Sequence, residues 1–92
     1  MAEPARYVRN PAVTETAVDD EVFLVEPASQ EVFYLDAVTA ALWRCLAEPQ
    51  TEDELARLFR AAFPDTDAAT IARDLGAALA DMRARALVVT AP

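Results

Sequence analysis

A strand and a helix meet without a loop in the stretch VFYLDAVTAALW, which covers residues 32–43. Its first four residues alternate as in a strand, and the remainder has the periodicity of a helix. No glycine or proline separates the two elements. The aspartate between them, Asp36, therefore has to end the strand and cap the helix with its carboxylate. This junction sets how the strands enter the helical part, and it constrains the fold more than any other feature of the chain.

Three short segments up to this junction have the pattern of strands. They cover residues 13–18, 22–26 and 31–35, and the turn sequences DDE and PASQ separate them. Turns of this length join antiparallel neighbours, so the sequence predicts a three-stranded meander. In the third strand, alternation places Phe33 and Leu35 toward the core and Val32 and Tyr34 on the opposite face.

The rest of the chain has the periodicity of three helices. The first follows Asp36, and the second begins with the capping box TEDE at Thr51 and ends at Pro64. The third begins at a cap at Thr66 or Asp67. The apolar face of the first helix is predicted at Val38, Ala41, Leu42, Cys45 and Leu46, and that of the third at Ile71, Leu75, Ala78, Leu79 and Met82.

Strands that precede helices along the chain predict an α+β domain. The second and third helices form a helix-turn-helix pair beside an antiparallel sheet, which is a winged-helix-like arrangement. We expect this single domain to cover residues 13–89, with the apolar segment LVV near the end docked on the core. Residues 1–12 contain two prolines and scattered charge, and we expect them to form a flexible N-terminal arm.

The composition excludes most catalytic chemistry. The 92 residues include no histidine, one cysteine (Cys45) and one glycine (Gly76), which falls in the middle of the third predicted helix. Cys/His and Ser/His nucleophile pairs and structural zinc sites are therefore impossible within the chain. A glycine-rich phosphate loop is also impossible. We expect no catalytic residue, no metal site and no cofactor.

The charge of the chain bears on its partners. Sixteen acidic residues against eight basic ones give a formal net charge of −8. Binding to a nucleic-acid backbone requires several converging cations, so this balance argues against it. No apolar run approaches the roughly 20 residues needed to span a membrane, and the N-terminus lacks the apolar core of a signal peptide. We expect a cytoplasmic protein with neither a nucleic-acid nor a membrane partner.

The segment VDDEVFLVEPASQEVFYLDAVTAALWRCLAEPQTEDELARLF resembles the PqqD-like family, and the likeness covers residues 13–89. Its most specific part is the strand–helix junction. The matching positions are Phe33, Tyr34, Leu35, Thr39, Ala40, Trp43, Thr51, Glu54, Leu55, Asp74, Leu79 and Leu87. Two positions depart from the family pattern. Asp36 stands where the family usually has Asn, and Ala86 stands where it has Gly.

The resemblance implies binding rather than catalysis. PqqD-like domains recognise the leader segment of a ribosomally synthesised precursor peptide and present the peptide to a modifying enzyme, often a radical SAM enzyme. The resemblance also implies where the leader binds: it adds as a strand to the third strand, in the groove against the third helix. The peptide-binding residues expected on this basis are Glu31, Val32, Phe33, Tyr34 and Leu35 in the strand, and Ile71, Asp74, Leu75, Ala78 and Met82 in the helix.

Several alternatives stay open at this stage. Asp74 and Asp81 either pair with basic residues of the leader or belong to a solvated helix face. The domain is expected to be a monomer or a weak homodimer. The competing function is a winged-helix DNA-binding regulator, but the three arginines of the third helix are offset by Asp74 and Asp81. The charge therefore favours a peptide-binding module over a DNA-binding one.

Overall fold

The structure is a computed structural model, and it describes residues 3–92. Within these residues the chain forms six strands and three helices. In chain order they are β1 (Arg6–Arg9), β2 (Thr14–Val18), β3 (Glu21–Glu26), β4 (Glu31–Leu35), α1 (Ala37–Cys45), β5 (Gln50–Thr51), α2 (Glu52–Ala62), α3 (Ala68–Ala84) and β6 (Val88–Thr90). The predicted α+β fold is confirmed, with all three predicted strands and all three predicted helices.

The predicted meander is the sheet β2-β3-β4, in that order. Both pairings are antiparallel, and in β4 Val32 lies opposite Val25 while Tyr34 lies opposite Phe23. Within the described residues, β3 is the one strand that pairs with β4. One side of the β4 backbone therefore has no strand partner, and β4 is an edge strand.

The structure contains a second sheet, with the order β5-β1-β6. Its central strand β1 lies in the segment that was predicted to be a flexible arm, so that prediction is wrong for these residues. Arg6 pairs with Thr51, and Val8 pairs with Val89, so β1 is held on both sides. The backbone amide of Arg9 also donates to the carbonyl of Leu46 at 3.0 Å. The sequence missed this strand because it is short and charged and all its partners are distant in the chain. The first two residues of the predicted arm lie outside the described residues.

One core joins the inner face of the meander to the three helices. Leu87 and Val88 belong to it, which confirms that the C-terminal apolar segment docks on the core. None of the described helices combines the length and the apolarity needed to cross a membrane. The buried apolar residues are Val22, Leu24, Leu35, Ala40, Leu42, Trp43, Leu46, Leu55, Phe59, Ile71, Leu75, Leu79, Met82, Leu87 and Val88.

The predicted helix caps are present. The Asp36 carboxylate accepts from the Thr39 amide at 2.9 Å. Thr51 and Glu54 form the reciprocal capping box of α2, and Asp67, one of the two predicted candidates, caps α3. Each cap satisfies amides that would otherwise lack a partner in the first helical turn. The sequence therefore specifies where each helix begins.

Helix α3 ends in a Schellman motif built on an alanine. The amide of Ala86 donates to the Arg83 carbonyl at 3.0 Å, and the amide of Leu87 donates to the Met82 carbonyl at 2.9 Å. This turn needs a left-handed residue, and Ala86 supplies it with a φ of 58°. The turn thus forms although glycine is absent, at the cost of backbone strain in an L-residue.

We expect Ala86→Gly to stabilise the fold by about 1 kcal/mol, because glycine adopts the left-handed conformation without steric cost. For a domain of this size, that corresponds to a melting temperature higher by roughly 4–8 °C. Thermal unfolding followed by circular dichroism measures it. Ala84→Gly, inside the last turn of α3, is the matched control and should destabilise instead. An unchanged or lower melting temperature for Ala86→Gly would contradict the strain at this turn.

Candidate functional site

The two faces of β4 differ as the sequence predicted. Leu35 is buried and Phe33 packs against the core, whereas Val32 and Tyr34 are 63% and 58% exposed. The Tyr34 ring lies 5.5 Å from the ring of Phe23 on the neighbouring strand. The strand therefore anchors in the core through one face, while its other face and its free edge remain accessible.

A groove runs along β4 and separates it from the C-terminal turns of α3. We call it the β4 groove, and it encloses about 320 Å³. Its far wall consists of Asp81, Met82 and Arg85, because α3 presents these residues on one helical face. The full lining is Val32, Phe33, Tyr34, Leu35, Asp36, Thr39, Asp81, Met82, Arg85 and Leu87.

Arg85 is the basic residue in the lining of this groove. Its Nε lies 3.1 Å from both carboxylate oxygens of Asp81, one helical turn away. Its guanidinium carbon lies 5.2 Å from the centre of the Phe33 ring, which is within range of a cation–π contact. Arg85 thus bridges from α3 to β4. The charges of Arg85 and Asp81 cancel in this pair. The unpaired charge along the lining of the β4 groove is therefore the carboxylate of Asp36.

Asp36 lies where β4 passes into α1. Its Oδ1 accepts from the backbone amide of Thr39 at 2.9 Å and from the Thr39 hydroxyl at 2.8 Å. These two hydrogen bonds stabilise the charged form and lower the pKa of the Asp36 carboxyl from its ordinary value. The cap therefore holds a negative charge at the end of the groove at neutral pH.

We expect Asp36→Asn to reduce the acid sensitivity of the fold. The folded-state pKa of Asp36 is lowered, so its contribution is present above the unfolded pKa of about 4 and is lost as the pH falls through the folded value. Asparagine caps a helix about as well, so stability at pH 7 should change by less than about 0.5 kcal/mol. Urea unfolding at pH 7 and at pH 3 should show a smaller loss of unfolding free energy than in the unmodified protein.

The control for that experiment is Asp65→Asn, in the exposed turn after α2. Equal acid sensitivity in Asp36→Asn and in the unmodified protein would contradict a charged cap at the junction.

A second depression continues the groove toward the β3–β4 turn. Glu31 and Phe33 line it from β4, and Ala84, Arg85 and Ala86 line it from the end of α3. The turn itself is held by the Glu26 carboxylate, which accepts from the amides of Ala28 and Ser29 and from the Ser29 hydroxyl. These bonds, those to Ser29 first, lower the pKa of Glu26. Glu31, the first residue of β4, therefore follows a β3–β4 turn that these hydrogen bonds hold in place.

A smaller apolar cavity lies at the other end of α3. It encloses about 150 Å³, and we call it the α1–α3 cavity because Val38 of α1 borders it opposite α3. It is lined by Val38, Phe59, Phe63, Thr66, Ile71, Asp74 and Leu75.

The predicted site residues fall into four places. The β4 groove contains Val32, Phe33, Tyr34, Leu35 and Met82, and Glu31 lies in the adjoining depression. The α1–α3 cavity contains Ile71, Asp74 and Leu75. Ala78 lies between these two regions of α3 and is partly buried against the core.

Sequence reasoning missed several residues of the groove. Asp36, Thr39, Arg85 and Leu87 line it but were not among the predicted peptide-binding residues. The signal that would have found Arg85 is helical spacing, because it lies three residues after Met82 on the same face.

The described residues hold no group of three or more His, Cys, Asp or Glu side chains arranged to bind a metal. Cys45 is half-buried, and burial raises the pKa of its thiol. A thiol in that setting stays protonated at neutral pH and is a poor nucleophile.

Each arginine of α3 and its C-cap has a neighbouring carboxylate or aromatic ring. Arg73 lies 3.4 Å from an oxygen of Asp74, and Arg85 is paired with Asp81. Arg83 lies with its guanidinium carbon 4.9 Å from the centre of the Tyr7 ring. A helix that reads DNA needs cationic or amide side chains directed at bases and phosphates. The geometry of α3 does not favour that role.

A comparison with protein families shows which family this chain belongs to. The model of the family described as coenzyme PQQ synthesis protein D (PqqD) matches residues 21–88. The chain belongs to the PqqD family. The match covers the β3–β4 hairpin, all three helices and the first residue of β6, so it contains every element that borders the β4 groove.

A solved structure extends the comparison of this PqqD-family chain. The fold aligns with a chain from the structure of TbiB1 in complex with the TbiA(beta) leader peptide, with a TM-score of 0.78 and 30% sequence identity. The alignment covers 88% of this chain and 93% of that chain. No curated protein sequence gives a significant match. The PqqD-family fold is thus shared with a protein solved together with a leader peptide.

Proposed function

We propose that this protein binds the leader segment of a ribosomally synthesised precursor peptide and presents the peptide to a modifying enzyme, for which a radical SAM enzyme is the first candidate. The role is recognition rather than catalysis. The observation that carries it is the free edge of β4, which faces a groove walled by α3. The similarity to TbiB1, which was solved with a leader peptide, supports the same class of ligand.

The edge of β4 suits an extended peptide for a physical reason. An edge strand has backbone amides and carbonyls without a strand partner, and an added strand satisfies them. Backbone pairing would involve Glu31 through Leu35. Side chains of the peptide would then enter the groove, where the apolar parts of Phe33 and Met82 supply contact area.

Charge narrows the class of peptide. The protein has a formal net charge of −8, and Asp36 adds a carboxylate at the end of the groove. Asp74, further along α3, is 58% exposed but lies 3.4 Å from Arg73, so this pair adds no net charge. A leader with one or more basic residues near its paired segment would complement the Asp36 carboxylate, and association would weaken as the salt concentration rises.

The proposal includes the setting in which this domain acts. We propose that it is a monomer or a weak homodimer, works without a cofactor, and meets its partners in the cytoplasm, where ribosomal precursor peptides are made. Residues 13–89 would form the recognition unit, and β1 would brace it through its pairing with β5 and β6.

Amide chemical-shift mapping tests the proposal. The probes are the TbiA(beta) leader peptide and peptides selected from a displayed library of random 20-residue sequences against the full chain. We expect the largest shifts at Glu31–Leu35 and along the groove side of α3. If a bound peptide leaves these amides unmoved at saturation, strand addition to β4 is wrong.

A mobility shift with mixed-sequence duplex DNA at low salt tests the competing function. We expect no shifted band at micromolar protein, because the formal net charge is −8 and Asp74 and Asp81 offset the neighbouring arginines of α3. Tight binding that disappears with added salt would favour a DNA-binding regulator instead.

A further inference from the structure

We infer that the α1–α3 cavity is a second subsite for the same peptide and takes an apolar side chain outside the segment that pairs with β4. The inference rests on the proposed function and adds to it. It assigns a binding role to Val38, Phe59 and Phe63, which belong to α1 and to the end of α2 rather than to the β4 edge.

The cavity has the shape and chemistry of an apolar subsite. The rings of Phe59 and Phe63 lie 5.7 Å apart and form one wall, and Ile71 and Leu75 form the floor. Val38 and Phe63 remain 39% and 37% exposed, so apolar surface stays accessible at the mouth. An apolar cavity of about 150 Å³ accommodates a group the size of benzene. A leucine, isoleucine or phenylalanine side chain is therefore the fitting occupant.

The α1–α3 cavity lies where a peptide that is paired with β4 could place one of its side chains. Helix α3 runs antiparallel to β4, since Ala84 and Ala86 share a depression with Glu31, whereas the earlier Met82 lines the groove along Val32–Leu35. Beyond Leu35, the first turn of α1 lines the groove through Thr39. The preceding residue of that turn, Val38, borders the cavity. An extended chain that leaves the groove at the Leu35 end therefore reaches the cavity next.

Helix geometry gives the spacing between the two subsites. Two helical turns separate Met82 in the groove from Leu75 in the cavity, which is about 11 Å along α3. An extended peptide advances about 3.3 Å per residue. The apolar anchor should therefore lie about three residues beyond the peptide residue next to Met82, on the side that passes Leu35.

The test combines variants of the chain with a scan of the peptide. The probe is the tightest-binding peptide from the displayed library, measured by calorimetry with the unmodified protein, Phe63→Ala and Val38→Thr. Removing an apolar contact of this size should weaken binding about tenfold for Phe63→Ala and severalfold for Val38→Thr. Leu58→Ala is the matched control, because Leu58 is an exposed apolar residue of α2 that does not line the cavity. It should bind as the unmodified protein does.

An alanine scan of the same peptide locates the anchor. We expect alanine at one apolar position, about three residues beyond the peptide residue next to Met82, to cost about tenfold in affinity, with no further loss when it is combined with Phe63→Ala. Thermal melts show whether each variant is folded. If Phe63→Ala does not fold, Val38→Thr alone tests the cavity, because threonine keeps the shape of the valine side chain at an exposed position.

The outcomes separate this inference from the proposed function. If the amides of β4 shift with peptide but Phe63→Ala and Val38→Thr bind normally, the cavity is no subsite while strand addition stands. If the methyl groups of Val38 and Leu75 shift and the β4 amides do not, the continuous path from β4 is wrong, and the inference fails together with strand addition. Shifts in both places, with the expected loss in both variants, support both proposals.

Discussion

Val32→Pro is expected to weaken peptide binding by about 2 kcal/mol, which is roughly thirtyfold. Proline removes a backbone amide, and its ring occupies the space beside the strand. Each backbone hydrogen bond lost to the peptide costs about 0.5–1.5 kcal/mol. The side chain of Val32 is 63% exposed, so the core loses little packing. Calorimetric titration with a library-selected peptide measures the change.

Ala17→Pro is the matched control on the opposite edge of the sheet. Ala17 pairs with Val22 and Val32 pairs with Val25, and these two β3 residues are an odd number of positions apart. Backbone groups alternate in direction along a strand. Ala17 and Val32 therefore have the same orientation toward their free edges. Ala17→Pro should bind peptide normally, because β2 has no α3 wall beside it.

A thermal melt accompanies both proline variants. If Val32→Pro melts as the unmodified protein does and still binds peptide normally, strand addition to β4 is contradicted. If Ala17→Pro weakens binding as much as Val32→Pro, the peptide does not distinguish the two edges, and the role of the groove is wrong.

The hairpin and the helix starts were predictable because their determinants are local. The alternation of β4 is contained in five residues, and it correctly placed Phe33 and Leu35 toward the core. The Asp36 cap and the Thr51–Glu54 capping box act over three residues. A single sequence contains all the information that such features need.

The buried face of α1 was predicted only in part, because a distant contact decides it. Periodicity placed Val38 on the apolar face, yet Val38 is exposed and Trp43 is 2% exposed. Trp43 packs in the apolar core, and at the core edge it contacts Glu15 of β2 and Arg9 of β1. These partners lie in other strands, and one belongs to the segment that was predicted to be a flexible arm.

The lining of the β4 groove was predicted on β4 but only in part on α3, for the same reason; the role of these residues in peptide binding stays a prediction. The stripe of α3 was correct, with Ile71, Leu75, Leu79 and Met82 all buried. The sequence does not say which part of that helix lies beside β4. The C-terminal end of α3 borders the β4 groove, which is why Arg85 is part of its lining. The N-terminal turns of α3 line the α1–α3 cavity instead.

Trp43→Ala should have the largest effect on stability. Replacing a buried aromatic side chain by alanine costs about 3–5 kcal/mol, out of a total of about 5–15 kcal/mol for a domain. The loss includes the hydrogen bond from the indole Nε1–H to Glu15 at 2.5 Å and the Arg9 guanidinium 4.7 Å from the ring centre. Urea unfolding followed by far-ultraviolet circular dichroism measures it.

Trp43→Phe separates packing from hydrogen bonding at this position. Phenylalanine keeps most of the ring but loses the donor to Glu15, so we expect a cost nearer 1 kcal/mol. Because Arg9 also donates to the Trp43 carbonyl at 2.8 Å, α1 and β1 are linked at this residue. Hydrogen exchange at Val8 should therefore accelerate in Trp43→Ala and much less in Trp43→Phe. A loss below about 1.5 kcal/mol in Trp43→Ala, with slow exchange kept at Val8, would mean that this tryptophan does not join the two sheets to the helices.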